Sequence, residues 1–307
     1  LITEDYTEIL EEIYEKLSPH FGMGKVANYI PELGKVDPKQ LGISICTNSG
    51  DEFIIGSASK AFSIQSISKL FALALAYKLE GEKLWGRLGL EPSGMRFDSL
   101  MLLEKEKGIP RNPFINAGAL VITDILLKYY ENPAQEVLKL LRELSGNKKI
   151  SINQKVKDSE IACANRNYAQ AYYMKSFNNI DSEVDILIEN YSAQCAIEMS
   201  CVDLARAFRL FTTNGLNPWN HQRILTPRQN KRLNAIMMTC GLYNAVGDFA
   251  YRVGIPAKSG VGGGIVGVIP GEMSISVWSP ALDETGNSLI GIKALELFTT
   301  ISDKSIY

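Results

Sequence analysis

Histidine is nearly missing from this chain of 307 residues; His20 and His221 are the only two, and they lie far apart. That scarcity removes a zinc site of the H-E-x-x-H kind and leaves a Ser-His-Asp hydrolase little to draw on. Cysteine is sparse too. Cys46, Cys163, Cys195, Cys201 and Cys240 are odd in number and form no C-x-x-C pair. A reduced, cytoplasmic setting is the expectation that follows. No run of 18 uninterrupted apolar residues occurs, so no membrane span is expected. Leu1-Ile2-Thr3-Glu4-Asp5 has neither a basic nor an apolar leader character, so no signal peptide is expected there. An excess of charge is also lacking: 32 Lys and Arg against 34 Asp and Glu leave −2. A basic footprint over the whole chain is thereby excluded, and nucleic acid is not an expected partner.

What is present is ordinary globular composition, 46% hydrophobic and 21% charged, in a chain long enough to bury a large core. Over 4–17, Tyr6, Ile9, Leu10, Ile13, Tyr14 and Leu17 recur at helical spacing, which predicts an amphipathic first helix. Residues 41–46 and 52–56 read as strands around Asn48-Ser49-Gly50. Residues 62–79 are mostly apolar and free of Gly and Pro, and read as a buried helix; 117–130, 133–144 and 202–212 read as further helices. Near Gly254 the pattern changes. Residues 265–268 and 273–278 read as a hairpin around Pro270-Gly271-Glu272, 288–292 as another strand and 294–301 as a closing helix. Strands near both ends, with helices between, predict an α+β fold. Its antiparallel sheet would be drawn from both chain ends, with an inserted helical lobe. Without a Pro/Ser/Gly-rich linker, 1–307 reads as one domain, a sheet lobe over about 1–60 and 245–307 and a helical lobe over about 61–244.

Three S-x-x-K strings occur, beginning at Ser57, Ser66 and Ser145. Ser57 follows a strand, where it and Lys60 would point to opposite sides, and Ser145 meets a Gly-Asn turn. Ser66 and Lys69 fall in the first turns of an apolar helix, where residues three apart share a face. A serine hydroxyl needs a base, and lysine serves as one only if its pKa falls by several units from about 10.4. Burial and a second cation both push in that direction. Lys258-Ser259-Gly260 supplies a candidate for that cation in Lys258. The glycines at 260 and 262–264 allow close backbone approach, and the N–H of Val261 with that of Ser66 would make an oxyanion hole. Gly262, Gly264 and Gly267 also satisfy G-x-G-x-x-G, but β-branched residues and a Pro-Gly turn follow instead of a helix, which argues against a nucleotide site. The Ser-Asp-Asn element that accompanies such strings in β-lactamases is missing; a tyrosine is a reasonable proton shuttle in its place.

Several segments together resemble the serine-dependent glutaminase family, which shares the β-lactamase/penicillin-binding fold. The segment 62–69, Phe-Ser-Ile-Gln-Ser-Ile-Ser-Lys, is similar to its nucleophile segment. Residues 26–33 resemble its Tyr-Ile-Pro motif and 111–119 its Asn-Pro…Asn-Ala-Gly-Ala stretch. Glu160 and Asn167 framing 162–166, Glu189-Asn190-Tyr191 with Gln194-Cys195, 241–244 and 257–265 follow in the same order. The resemblance implies hydrolysis of L-glutamine to L-glutamate and ammonia, without metal or organic cofactor, by a homo-oligomer. It implies Ser66 as the acylated nucleophile, Lys69 as its base, Tyr191 as the relay to the leaving ammonia and Tyr29 as support for proton transfer. Asn116, Glu160, Asn167 and Tyr243 would hold the substrate. Glu160 suits the α-ammonium, the others the carboxylate or amide. Each has a plainer alternative: Asn116 as a helix cap, Glu160 as a solvated acid, Asn167 in a turn, the tyrosines in packing. Cys195 reads as a buried small hydrophobe. Two other functions stay open on this sequence, a β-lactamase or peptidase on the same fold and a catalytically silent glutamine-binding module.

Overall fold

The computed structural model describes residues 5–307; the first position of the expected opening helix, residue 4, lies outside them. Helix α1 (Thr7–Leu17) buries Leu10, Ile13 and Leu17 and keeps its acids outward, as the spacing predicts. Each such buried aliphatic side chain contributes about 1.5–3 kcal/mol. The main sheet has the order β2-β1-β8-β7-β6, antiparallel throughout. Its strands are β1 (Gly42–Thr47), β2 (Glu52–Gly56), β6 (Ala257–Ser259), β7 (Gly264–Ile269) and β8 (Met273–Trp278). Ile43 pairs with Val277 and Ile45 with Ile275, so the amino-terminal hairpin is joined to the carboxy-terminal one. Central β1, β7 and β8 are buried at every position, whereas edge strand β2 alternates exposed and half-buried. The difference follows from cover. α9 (Cys201–Thr212) packs against β1, β7 and β8, while α1 and α12 (Leu289–Ser302) pack together at the sheet.

The remaining helices lie between the two hairpins in the chain: α2 (Ser68–Glu80), α3 (Met101–Lys105), α4 (Asn116–Leu127), α5 (Pro133–Ser145), α6 (Gln154–Ala162), α7 (Asn165–Ser176), α8 (Val184–Cys195), α10 (Pro227–Cys240) and α11 (Val246–Arg252). Local chemistry starts several of them. Asn132 caps α5, which has Pro133 in its first turn and the left-handed Gly146 at its end. Ser200 with Asp203 and Thr226 with Gln229 form capping boxes on α9 and α10. A second, three-stranded sheet has the order β3-β5-β4, from Phe62–Ser63, Ile197–Met199 and Ser151–Ile152.

Two elements differ from the sequence reading. Residues 62–79 are not one helix: Phe62 and Ser63 pair with Met199 and Glu198, a 3₁₀ turn covers Gln65–Ile67, and α2 starts at Ser68. A continuous apolar run has no period to separate strand from helix, so the pairing partner decides. Of residues 288–292, only Ser288 makes a β-bridge, to Leu282; 289–292 are helix, not strand. Ser288 caps α12 by accepting from Gly291 N–H at 3.1 Å, and a β-carbon at 291 would come within 2.7 Å of the Ser288 hydroxyl.

Candidate active site

Gln65 has a left-handed backbone, φ 50°, which costs a non-glycine residue about 1 kcal/mol or more. It joins β3 to α2 and turns Ser66 to the foot of the helix. The glycine-rich bend after β6 lies directly against this turn. A β-carbon at Gly260 would sit 2.5 Å from Ile64 O and 3.3 Å from Ser66 N, and one at Gly262 would sit 2.1 Å from Ser63 O. Glycine is therefore required for the two segments to meet. The N–H groups of Ser66 and Val261 donate to no acceptor among the described residues, the condition for an oxyanion hole.

Lys69 is 3% exposed, and its Nζ donates to Phe114 O at 3.1 Å and Asn116 Oδ1 at 2.8 Å. No hydrogen bond of ordinary geometry joins it to Ser66. Burial brings its pKa down to about 8, against the opposing pull of Cys195 and Glu160. Lys258 is fully buried on β6, where Nζ donates to Gly241 O at 3.1 Å and Ser259 O at 2.6 Å. Burial, and then the charge of Lys69, hold Lys258 well below the ordinary lysine range. The sequence reading had Lys258 depressing Lys69. In the fold, burial is the first cause of the lowering in both lysines, and the repulsion between their charges acts on both.

Asn116 is the hub of the polar network. It is not a helix cap; Ile115 holds that position. Its Oδ1 accepts from Lys69 and from the Tyr191 hydroxyl at 3.2 Å, and its Nδ2 donates to Asn167 Oδ1 at 3.0 Å. Tyr191, on α8, is buried, with its ring 5.8 Å beneath the Lys69 ammonium. Asn167 is on α7 and Glu160 on α6, neither in a loop. Glu160 is only 9% exposed, and its Oε1 has no hydrogen-bond partner. Burial lifts its pKa to about 7, with Gln65 and Lys69 pulling the other way. A buried carboxylate without a partner is costly unless something cationic comes to it.

Ser66, Tyr29, Asn116, Glu160, Asn167 and Tyr191 line one cleft of about 410 Å³, Tyr29 standing half-exposed on its wall. Lys69, Lys258, Tyr243 and Val261 do not line it; Lys69 reaches it through Asn116. Tyr243 packs 4.8 Å from Phe97, and its buried hydroxyl faces Ser66 and Ser259 without forming a bond of good geometry. Val261 faces a neighbouring groove of about 380 Å³ along with Ser63 and Gly262. A larger cleft of about 480 Å³ lies between α5, α6 and α8, but it is walled by the Lys157–Glu189 ion pair and holds no member of the network. Size alone does not locate the chemistry. Sequence reasoning missed Gln65 and the Phe114 carbonyl. Gln65 lies inside the nucleophile segment, but nothing in the string marks its left-handed backbone, and a carbonyl leaves no trace in side-chain identity. Cys195 is buried, its thiol pushed up to about 12 by burial, which fits a packing residue.

The sequence model of the family named Glutaminase matches residues 24–307. A glutaminase of Ralstonia nicotianae is 52% identical over 303 residues, 99% of this chain and all of the relative. One of Aliivibrio fischeri is 51% identical over 98% of each. Among solved structures, the covalent complex of a Bacillus subtilis glutaminase with 5-oxo-L-norleucine, formed by reaction with 6-diazo-5-oxo-L-norleucine, superposes with a TM-score of 0.88 at 34% identity. It covers 99% of this chain and all of that one. The sheet built from both chain ends with helices inserted between is the β-lactamase-like fold these neighbours share. Matched along nearly its whole length by this family and by relatives half identical to it, the chain belongs to the glutaminases.

Proposed function

We propose that this glutaminase hydrolyses L-glutamine through a glutamyl ester on Ser66. Neutral Lys69 takes the Ser66 proton, and Oγ attacks the side-chain amide carbon. The oxyanion that develops accepts from the N–H groups of Ser66 and Val261. Tyr191 passes its hydroxyl proton to the departing ammonia and takes in its place the proton that Lys69 carries, which leaves Lys69 neutral again. Asn116, holding both Lys69 and Tyr191 on one oxygen, keeps the two proton carriers in register. Water, deprotonated by Lys69, then attacks the ester; the bond to Ser66 Oγ breaks, Oγ takes the proton back from Lys69, and L-glutamate leaves. Lys258, donating to Gly241 O and Ser259 O, braces the glycine bend behind Ser66. Tyr29 and Tyr243 border the acyl group, and Asn167 orients the substrate with Asn116. The observation that carries the glutamine reading is Glu160. A buried carboxyl group with one oxygen, Oε1, left without a partner shares a cleft with Ser66 and meets the α-ammonium of a free amino acid. Residues 1–307 act in this reading as one catalytic domain. The cytoplasmic, homo-oligomeric state remains part of the proposal.

A coupled assay for released ammonia tests it. Glutamine is turned over, and asparagine, one methylene shorter, is slower by roughly 10–200-fold. Absence of ammonia from glutamine would point instead to a binding module, and colour from nitrocefin to a β-lactamase.

Glu160→Gln gives a paired signature. Losing the charge for the ammonium raises KM by at least roughly 30-fold. The substitution also stabilises the protein at alkaline pH. With its pKa raised from 4.5 to about 7, folded Glu160 holds its proton where the unfolded chain has released it. Wild-type stability therefore falls as pH rises between those values, by at most about 3 kcal/mol. Calorimetry should find the variant more stable than wild type at pH 8 and equal to it at pH 4. Equal stability at pH 8 would mean that the carboxylate has a partner in solution.

A further inference from the structure

Among the five cysteines Cys163 alone is exposed; Cys46, Cys195, Cys201 and Cys240 are buried. Cys163 closes α6 three residues after Glu160, and its N–H donates to Glu160 O at 3.2 Å. It lines the cleft that holds Ser66. Nothing in the acyl-transfer scheme uses a thiol there. Glu160, nine-tenths buried with Oε1 unpartnered, opens into the same cleft. Residues three apart near a helix end share a face. An exposed thiol and a vacant acceptor for a cation thus line one cleft.

We propose that Cys163 is a thiol–disulfide exchange site for small amino-acid disulfides, and that the resulting mixed disulfide closes the substrate cleft. The choice of an amino-acid disulfide rests on Glu160 as the ammonium acceptor in the proposed glutamine reaction. The accessible thiol does not rest on it. The Cys163 thiolate attacks one sulfur of cystine, the cystine S–S bond breaks, a new S–S bond joins Cys163 to one half, and the other half leaves as a cysteine thiolate that takes a proton from water. One disulfide is consumed and one is formed, so no further oxidant is needed, and excess thiol reverses the step. The attached half places its ammonium beside Glu160, where the substrate's own would sit.

The test treats the intact protein with cystine and, separately, with neutral 2-hydroxyethyl disulfide. The adduct is located by peptide mass spectrometry and ammonia release is followed. Expected are one adduct at Cys163, loss of nearly all activity, recovery with dithiothreitol and slowing of the reaction by L-glutamate. Cystine should react roughly tenfold faster than the neutral disulfide, the gain of one charge-assisted contact. Cys163→Ser should keep basal activity and resist both reagents. An adduct at Cys163 with activity intact, or equal inactivation of Cys163→Ser, overturns the proposal; equal rates for the two disulfides overturn the amino-acid class. Failure of the underlying glutamine reading shows separately, as an unchanged KM in Glu160→Gln measured without any disulfide.

Discussion

Ser66→Ala will lose glutamine turnover by roughly 10⁴–10⁶-fold while leaving the fold intact, because removing a nucleophile removes the covalent route altogether. The oxyanion donors are backbone N–H groups and survive the substitution. The remaining rate is therefore what positioning and the oxyanion hole supply to water alone. The side chain is small and sits at the end of a turn whose shape comes from Gln65 and the glycine bend, so little packing is lost. Circular dichroism and the melting temperature should stay close to wild type. 6-Diazo-5-oxo-L-norleucine, which reacts covalently with the Bacillus subtilis relative, should label wild-type Ser66 and leave Ser66→Ala unlabelled. Turnover within about tenfold of wild type in Ser66→Ala would remove the acyl-enzyme from the scheme.

Lys69→Ala will cost roughly 10²–10⁴-fold in kcat, the range of general-base catalysis, and will also change the shape of the pH profile. In the wild type the base must be neutral. With the Lys69 pKa brought down to about 8, kcat should rise about tenfold per pH unit on the acid side and level off above that value. The profile of kcat/KM should bend a second time near 7, where Glu160 gains the charge that receives the ammonium. In Lys69→Ala the bend near 8 should vanish. Because Asn116 Oδ1 also accepts from Tyr191, Asn116→Ala should disturb the same bend without deleting the base. A Lys69→Ala enzyme that keeps the bend near 8 would assign proton removal to another group, and buried Lys258 would be the next to examine.

Much of the fold was legible because amphipathic patterns and turn residues act locally. The α1 stripe, the Asn48-Ser49-Gly50 and Pro270-Gly271 turns, and Pro133 at the start of α5 each announce themselves within a few residues. The 62–79 run misled because it is apolar throughout, and its first two residues are strand only by virtue of Met199 and Glu198, more than a hundred residues on. The 288–292 segment misled because a short apolar stretch, Leu-Ile-Gly-Ile after a serine, reads as strand until that serine is seen to cap a helix. Polar-looking α6 and α7, which carry Glu160 and Asn167 into the cleft, have too weak an apolar stripe to have been read as helices, so a solvated acid and a turn stood as the plainer alternatives for those two residues.

The sequence by itself determined the inventory: a serine with a lysine three residues on, a glycine-rich Lys-Ser-Gly bend, an acid, amides and tyrosines of the right kinds, and too little histidine for the commoner hydrolytic arrangements. Those are covalent facts of side-chain type and spacing. Only the tertiary structure decided what each member experiences. Burial brings Lys69 to about 8, lowers Lys258 as well, and leaves Glu160 Oε1 without a partner in the cleft. Burial, field and partner depend on atoms supplied by segments far away in the chain, and no local string records how close they come.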